Sequence, residues 1–228
     1  MINIDQNFNW DEFLQPYELA VEGFILKMEG IKKQYQLLNQ YCPIEIVSGR
    51  VKTPKSIIDK ANRMLVPHNL IDELLYDIGG VRITCKYLED VYKVAALIKK
   101  RKDIELIEER DYIINKKPSG YRSLHLLINY NCDTIKGTVP VKIEFQIRTH
   151  AMHFWASIEH SLKYKYQKQI PLELQERLLS ASLAAEKLDE EMSSIHRTIE
   201  ELDSTSGDTK SKEADPFEHE VDLLKKRY

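Results

Sequence analysis

Two stretches of alternating apolar and polar residues, 124–130 and 141–147, give the sequence its clearest strand pattern. A period of two is typical of half-buried β-strands, and the loop between the stretches contains Gly137 and Pro140, so the pattern predicts a hairpin or two neighbouring strands. In the second stretch the polar positions share one face: Lys142, Glu144, Gln146 and Arg148. An acidic residue between basic ones suits polyphosphate or metal chemistry, but a solvated sheet face with cross-strand ion pairs has the same pattern.

Apolar residues at spacings of three and four predict a long first helix. Asn9 is a suitable N-cap for it, and Glu12 completes a capping-box-like pair. The predicted apolar face contains Phe13, Tyr17, Ala20, Phe24, Met28, Ile31 and Tyr35. Gly23 and Gly30 weaken the prediction that this helix is continuous. We expect the helix to pack on the core and to carry no chemistry of its own.

A second helix is predicted after Thr53, because threonine is a good N-cap and Pro54 suits the first helical position. One face of this helix and the loop predicted before it carry Arg50, Lys52, Ser56, Lys60 and Arg63. A cationic cluster beside a helix N-terminus suits a triphosphate, although an ordinary solvated helix face would have the same composition. The sequence contains no glycine-rich phosphate loop, so side chains would have to hold the phosphates.

The rest of the chain is predicted to alternate between helices and strands before ending in a long helix. Periodicity predicts a short helix over 69–76, strands over 81–87 and 104–107, a helix over 90–101, and a helix from the Thr149 cap to about residue 166.

A heptad pattern follows, with apolar residues at Leu174, Leu178, Ala181, Ala185, Leu188, Met192, Ile195, Ile199 and Leu202. Such a seam can pack back on its own domain, but its regularity favours self-association. We therefore divide the chain into a main domain over 1–170, a heptad helix over 171–203 that serves oligomerisation, and a polar, disordered tail over 204–228. A short helix over 217–226 is compatible with the tail.

Composition limits the class of function. The 228 residues are 43% hydrophobic, enough for a core, and carry a net charge of −3, which does not indicate a dedicated nucleic-acid binder. An RNA partner is possible but not indicated. The three cysteines lack metal-site spacing, and no apolar run is long enough to span a membrane. We expect a cytoplasmic protein with reduced thiols and no membrane partner.

Three motifs in fixed order give the chain a specific resemblance. They are DIGGVRI at 77–83, SGYRSLH at 119–125 and EFQIRT at 144–149. Over about residues 10–192 the chain resembles the (p)ppGpp (alarmone) synthetases, and most of all the stand-alone small alarmone synthetases. The resemblance implies an α+β, nucleotidyltransferase-like fold with a mixed sheet of four or five strands flanked by helices, and assembly into tetramers. It also implies transfer of pyrophosphate from ATP to the 3′-hydroxyl of GDP or GTP, with release of AMP.

The same resemblance implies roles for individual residues. The predicted ATP contacts are Arg50, Lys52, Ser56, Lys60, Arg63 and Arg82. Asp77 and Glu144 are the predicted catalytic and Mg²⁺-binding carboxylates, with Glu144 as the general base or hydroxyl-orienting group. On the GDP or GTP side, Tyr121 is expected to stack on guanine, and the other predicted contacts are Arg110, Lys117, His125 and His153.

Other interpretations remain open from the sequence. His150, His153 and His160 lie near one face of a predicted helix, but no Cys or HExxH partner supports a zinc site. The sequence has no His-Asp dipeptide, so we expect synthesis without the hydrolase activity of bifunctional relatives. An inactive oligomeric nucleotide- or RNA-binding regulator, or a nucleotidyltransferase with another acceptor, would use the same pocket. The preferred acceptor among GDP, GTP and GMP is not decided by the sequence.

Overall fold

A five-stranded mixed β-sheet with helices packed on it forms the protein. The computed structural model describes residues 8–165 and 171–205. Its helices are α1 Trp10–Leu37, α2 Pro54–Met64, α3 Ile71–Leu74 (preceded by a 3₁₀ turn, His68–Leu70), α4 Leu88–Lys99, α5 His150–Lys165 and α6 Leu172–Thr205. Its strands are β1 Ile46–Val51, β2 Gly79–Cys85, β3 Ile104–Asp111, β4 Leu124–Thr134 and β5 Gly137–Thr149. The strand order is β1-β2-β5-β4-β3, in which β2 and β5 are parallel and the other neighbours are antiparallel. The predicted α+β fold and the β4–β5 hairpin are confirmed.

The core lies between α1, α4 and one face of the sheet. The helix α1 packs against β1, β2, β4 and β5, and α4 packs against β2, β4 and β5. Phe24 of α1 and Phe145 of β5 are both fully buried, and their ring centroids are 5.1 Å apart. Burial of each such side chain contributes roughly 1.5–3 kcal/mol to folding. The helix α1 is continuous through Gly23 and Gly30, and the Asn9 side chain accepts a hydrogen bond from the Glu12 backbone, as predicted.

The edge strand β1 was not predicted, and the assignment of Arg50 to a loop is wrong. The strand reads IVSGRV and is mostly exposed or half-buried, so it lacks the apolar alternation that identifies a strand. The glycine within this strand, Gly49, is required by a close contact with α1. A Cβ atom there would be 2.4 Å from Val21 Cγ1, so the absent side chain lets α1 cross β1 closely.

Several predicted boundaries differ from the observed ones. The helix predicted over 69–76 is only one α-helical turn after a 3₁₀ turn. The helix predicted over 90–101 begins at Leu88, because Asp90 lies in its first turn and accepts a hydrogen bond from the Tyr87 backbone (3.3 Å). The end of the helix predicted at about residue 166, the possible helix over 217–226 and nearly all of the predicted tail over 204–228 lie outside the described residues. In the described ranges, no helix is long and apolar enough to cross a membrane.

The long helix α6 contacts its own domain through a polar face. Ser182, Asp189 and Ser193 are buried against the domain, and α6 packs on α5 and α4. The Trp155 indole donates a hydrogen bond to the Leu178 carbonyl (2.8 Å), and the Leu88 backbone donates to the Ser193 hydroxyl (3.0 Å). The predicted heptad seam is largely exposed instead. Its exposed members include Leu188, Met192, Ile195, Ile199 and Leu202.

Candidate active site

One row of side chains crosses the whole sheet on the face opposite the core. Strand register places Ser48 beside Arg82, Arg82 beside Gln146, Gln146 beside His125, and His125 beside Arg110. Residues in register on neighbouring strands project to the same face. The row therefore brings the predicted ATP residue Arg82 and the predicted acceptor residues His125 and Arg110 onto one surface.

A second row, two residues along each strand, passes through Arg50, Gly80 and Glu144. Gly80 has no side chain, and a Cβ atom added there would meet no atom closer than 3.7 Å, so the sheet surface is open at this position. An open cleft of about 440 Å³, solvent-exposed space included, lies here and is lined by Ser48, Gly49, Arg50, Lys52, Asp77, Gly80, Val81, Arg82, Glu144 and Gln146.

Asp77 lies in the turn just before β2, between two lysines. Lys52 Nζ is 2.7 Å and Lys60 Nζ 2.6 Å from the same oxygen, Asp77 Oδ2. Burial tends to raise the pKa of Asp77, but the charges and hydrogen bonds of the two lysines outweigh it, so this pKa lies below its ordinary value. The other oxygen, Oδ1, is buried and has no hydrogen-bond partner in the structure. Asp77 is therefore ionised and has one oxygen available for a ligand.

Arg82 is half-buried, and its positive charge adds to those of Arg148 and Arg50 nearby. Burial, followed by repulsion from Arg148 and Arg50, lowers the pKa of its guanidinium, and its buried Nε has no partner. Arginine stays protonated at neutral pH even so. A buried donor without a partner costs free energy, which an anionic ligand bound here would remove.

Glu144 lies on β5, the central strand of the sheet, and is only 8% exposed. Its Oε1 lies 3.0 Å from His125 Nδ1, and its Oε2 accepts a hydrogen bond from Gln146 Nε2 (2.7 Å). Burial tends to raise the pKa of Glu144, but the hydrogen bond and charge of His125, with the Gln146 bond, bring that pKa below its ordinary value of 4.5. The carboxylate is thus ionised at neutral pH and fixed in orientation.

Tyr121 is held in place by its hydroxyl group. The hydroxyl lies 2.8 Å from His125 Nε2 and accepts a hydrogen bond from Arg148. The Lys117 ammonium lies 5.0 Å from the centre of the Tyr121 ring and 4.2 Å from that of Tyr112. A continuous chain of hydrogen bonds therefore connects the Tyr121 ring, through His125, to Glu144.

The remaining predicted residues lie around this centre at different distances. Arg110 makes a two-point ion pair with Glu108 (2.8 and 2.6 Å), which raises the pKa of Arg110. Neither Ser56 nor Arg63 lines the cleft. Ser56 hydrogen-bonds Thr53 at the start of α2, and Arg63 is exposed further along that helix. His153 of α5 has a buried Nδ1 without a partner. Burial and the charges of Arg82 and Arg148 lower the pKa of His153, which places it beside the cationic part of the site.

Arg148 and Gln146 were recognised as members of a polar strand face but not as site residues. Arg148 donates to Tyr121, to Gln146 Oε1 (2.8 Å) and to Ser123 Oγ (3.1 Å), so it organises the acceptor side. The alternation along β5 was the signal that could have identified both. The three α5 histidines do not form a metal site, since the described ranges contain no group of three or more His, Cys, Asp or Glu side chains able to hold a metal.

Comparison with known proteins decides the family. The pattern of the region found in RelA / SpoT proteins matches residues 49–169. The GTP pyrophosphokinase YjbM of Bacillus subtilis is 46% identical over 192 residues, which cover 84% of this chain and 90% of that protein. The chain belongs to the RelA/SpoT family.

Two solved structures of this family are similar to most of this chain. Small alarmone synthetase 1 from Bacillus subtilis bound to its product pppGpp has a TM-score of 0.81 and 46% identity, covering 83% of this chain and 97% of that chain. The same synthetase bound to AMPCPP has a TM-score of 0.75 and 42% identity, covering 84% and 98%. The predicted resemblance to small alarmone synthetases is confirmed.

The two carboxylates of the site, Asp77 and Glu144, fit a bound Mg²⁺ ion. Magnesium is bound in proteins through one or two carboxylates, with substrate phosphates and water completing its ligands. Asp77 and Glu144 line the same cleft, and the buried Asp77 Oδ1 has no partner. This pair of hard oxygen donors fits a magnesium ion that also binds substrate phosphates.

Proposed function

We propose that this chain is a GTP pyrophosphokinase that transfers pyrophosphate from ATP to the 3′-hydroxyl of GDP or GTP, forming (p)ppGpp and AMP in stringent-response signalling. The observation that carries the proposal is the position of Glu144. An ionised, oriented carboxylate lies between a cationic cleft on the β1–β2 side and the anchored Tyr121 ring on the β4 side. Two nucleotides bound on these two sides would meet at Glu144.

The donor side is assigned to ATP. Arg50, Lys52 and Arg82 line the cleft, and Lys60 reaches its edge through Asp77. Two lysine ammonium groups share one carboxylate oxygen, which leaves more positive than negative charge around Asp77. Triphosphate oxygens can take over part of this pairing, so ATP binding neutralises charge that the fold has already concentrated.

The acceptor side is assigned to the guanine nucleotide. We assign the purine to the Tyr121 ring, whose centre lies 5.0 Å from the Lys117 ammonium and 5.1 Å from the Arg148 guanidinium, and the phosphates to Lys117 and Arg110. Arg110 would exchange its ion pair with the exposed Glu108 for a phosphate contact. We assign His153 to the same nucleotide, as a contact to its base or to a phosphate.

The proposed reaction needs a hydroxyl group to attack the β-phosphorus of ATP as AMP leaves. Glu144 accepts the proton of the 3′-hydroxyl, and its lowered pKa keeps it ready to do so at neutral pH. Arg82 and the lysines stabilise the charge on the phosphate oxygens in the transition state. Mg²⁺, held by Asp77 with help from Glu144, would supply further charge neutralisation when bound.

We also propose self-association into a homotetramer. The heptad seam of α6 supports it, because the neighbouring polar face of that helix already contacts its own domain while the apolar seam remains largely exposed. Sedimentation of wild type and of Met192→Glu, with the exposed Glu191→Gln as control, tests this assignment. A monomeric wild type would contradict it.

The cytoplasm, which supplies ATP and GTP, is the proposed location.

An acceptor panel tests the function. The protein is incubated with ATP and Mg²⁺ together with GDP, GTP, GMP, CDP or UDP, and AMP release is followed by thin-layer chromatography. We expect AMP with GDP or GTP and none with CDP or UDP. AMP with pyrimidine acceptors would indicate a different nucleotidyltransferase. Tight nucleotide binding without AMP would indicate an inactive regulator.

A further inference from the structure

The C-terminal helix α6 touches the loop that carries Lys117 and Tyr121. We call residues 116–122 the acceptor loop. Three contacts along the loop reach one side of α6: Lys116 pairs with Glu186, the Gly120 carbonyl accepts from the Ser182 hydroxyl, and Arg122 pairs with Asp189. The α6 residues are spaced by about one helical turn each, so all three loop contacts fall on one stripe of the helix.

Gly120 shows how closely the two segments approach. Its φ of +86° lies in the left-handed region, and a Cβ atom added there would be 2.7 Å from Ser182 Cβ and 3.2 Å from Leu179 Cδ1. Both the backbone conformation and the space therefore require glycine. The loop turns against the surface of α6, not in open solvent.

The Arg122–Asp189 pair is the most buried of the three contacts. The side chains are 4% and 5% exposed, and Arg122 donates to Asp189 Oδ2 at 3.1 Å. Asp189 also hydrogen-bonds Thr149, the residue that caps α5. Removal of either partner would leave the other charge buried without compensation. Asp189 thus joins the acceptor loop, the end of β5 and α6.

We propose that α6 holds the acceptor loop in its binding conformation, with Asp189 and Ser182 as positioning residues for the guanine nucleotide. The inference rests on the proposed function in one respect, the assignment of that nucleotide to Tyr121. Neither residue lines the cleft, so their effect passes through Arg122 and Gly120, the two neighbours of Tyr121. The helix thereby has two roles on two faces: it presents the apolar seam outward and supports the acceptor loop inward.

The test compares Ser182→Ala and Asp189→Asn with the matched exposed controls Ser180→Ala and Glu190→Gln. In Ser182→Ala we expect KM for GDP to rise about 2- to 13-fold, the range for one lost hydrogen bond, while KM for ATP stays within twofold of wild type. Asp189→Asn should have a larger effect in the same direction. Equal increases for ATP and GDP, or no increase for GDP, would overturn the proposal.

Hydrogen–deuterium exchange without nucleotides gives a second readout that does not depend on the reaction. Backbone amides of residues 113–123 should exchange faster in Ser182→Ala and Asp189→Asn than in the two controls, while those of β2 should not change. Unchanged exchange over 113–123 would refute the support role of α6. If wild type binds GDP but forms no product, the proposed function fails, and the exchange and GDP-affinity measurements still decide the positioning role.

Discussion

Glu144→Gln is the substitution that most sharply separates chemistry from binding. Glutamine has nearly the same size and can keep both hydrogen bonds: its carbonyl can accept from Gln146 Nε2, and its amide can donate to His125 Nδ1 if the imidazole proton is on Nε2 and faces the Tyr121 hydroxyl. The negative charge and the proton-accepting ability are lost. The fold and the nucleotide sites should therefore remain.

The expected magnitude follows from the role of a general base. A positioned base contributes about 10²–10⁴-fold, which corresponds to roughly 2.7–5.4 kcal/mol of activation free energy. The assay is kcat for AMP formation at saturating ATP and GDP, with GDP affinity measured separately by calorimetry. Glu105→Gln on the exposed side of β3 is the matched control and should keep wild-type kcat.

Two results would refute this reasoning. A kcat within tenfold of wild type would mean that Glu144 is not the base. A large loss of GDP affinity together with kcat would mean that its main role is to hold His125 and Tyr121 in place.

Four further predictions concern the metal ligand, the acceptor site, the packing of β1 and the response to pH. Asp77→Asn should raise the Mg²⁺ concentration needed for half-maximal rate, because a metal ligand is lost, and an unchanged titration would make Asp77 a structural residue. Tyr121→Ala should raise KM for GDP about 5- to 150-fold through lost stacking, and Tyr121→Phe should also raise it measurably, because the hydroxyl bonds Arg148 and His125. Gly49→Ala should lower Tm by about 2–12 °C through overpacking against Val21, whereas Gly23→Ala, with open space around it, should not. Since the folded pKa of Glu144 is below 4.5, its contribution to stability should be complete above about pH 4.5 and lost as pH falls through the lowered value, which acid-unfolding curves of wild type and Glu144→Gln can compare.

The sequence was most informative where periodicity and motifs coincide. The alternation along residues 141–147 predicted the buried and polar faces of β5, and Glu144 lies where the polar face meets the cleft. The edge strand β1 could not be predicted in the same way. One side of an edge strand has no strand partner, and β1 has a glycine for contact with α1 where an apolar residue would have marked the pattern.

Contacts between distant parts of the chain were beyond the reach of pattern analysis. Arg122 and Asp189 are 67 positions apart, and neither has a spacing that marks it as one of a buried pair. The heptad seam of α6 was predicted to be a contact face, because helical periodicity is recognised mainly from apolar residues. The helix instead contacts its domain through Ser182, Asp189 and Ser193, which are polar residues that ordinarily indicate a solvent-facing side.

The measurement that tests the central claim most directly follows the 3′-oxygen of the acceptor. GDP labelled with ¹⁸O at the 3′-hydroxyl is converted with ATP and Mg²⁺, and the products are analysed by mass spectrometry and ³¹P NMR. We expect AMP without label, in equal amount to a guanosine product that gains one pyrophosphate and keeps the ¹⁸O as the bridging atom. Release of free pyrophosphate with transfer of an adenylyl group, or a guanosine product that has lost the label, would contradict attack by the 3′-hydroxyl on the β-phosphorus.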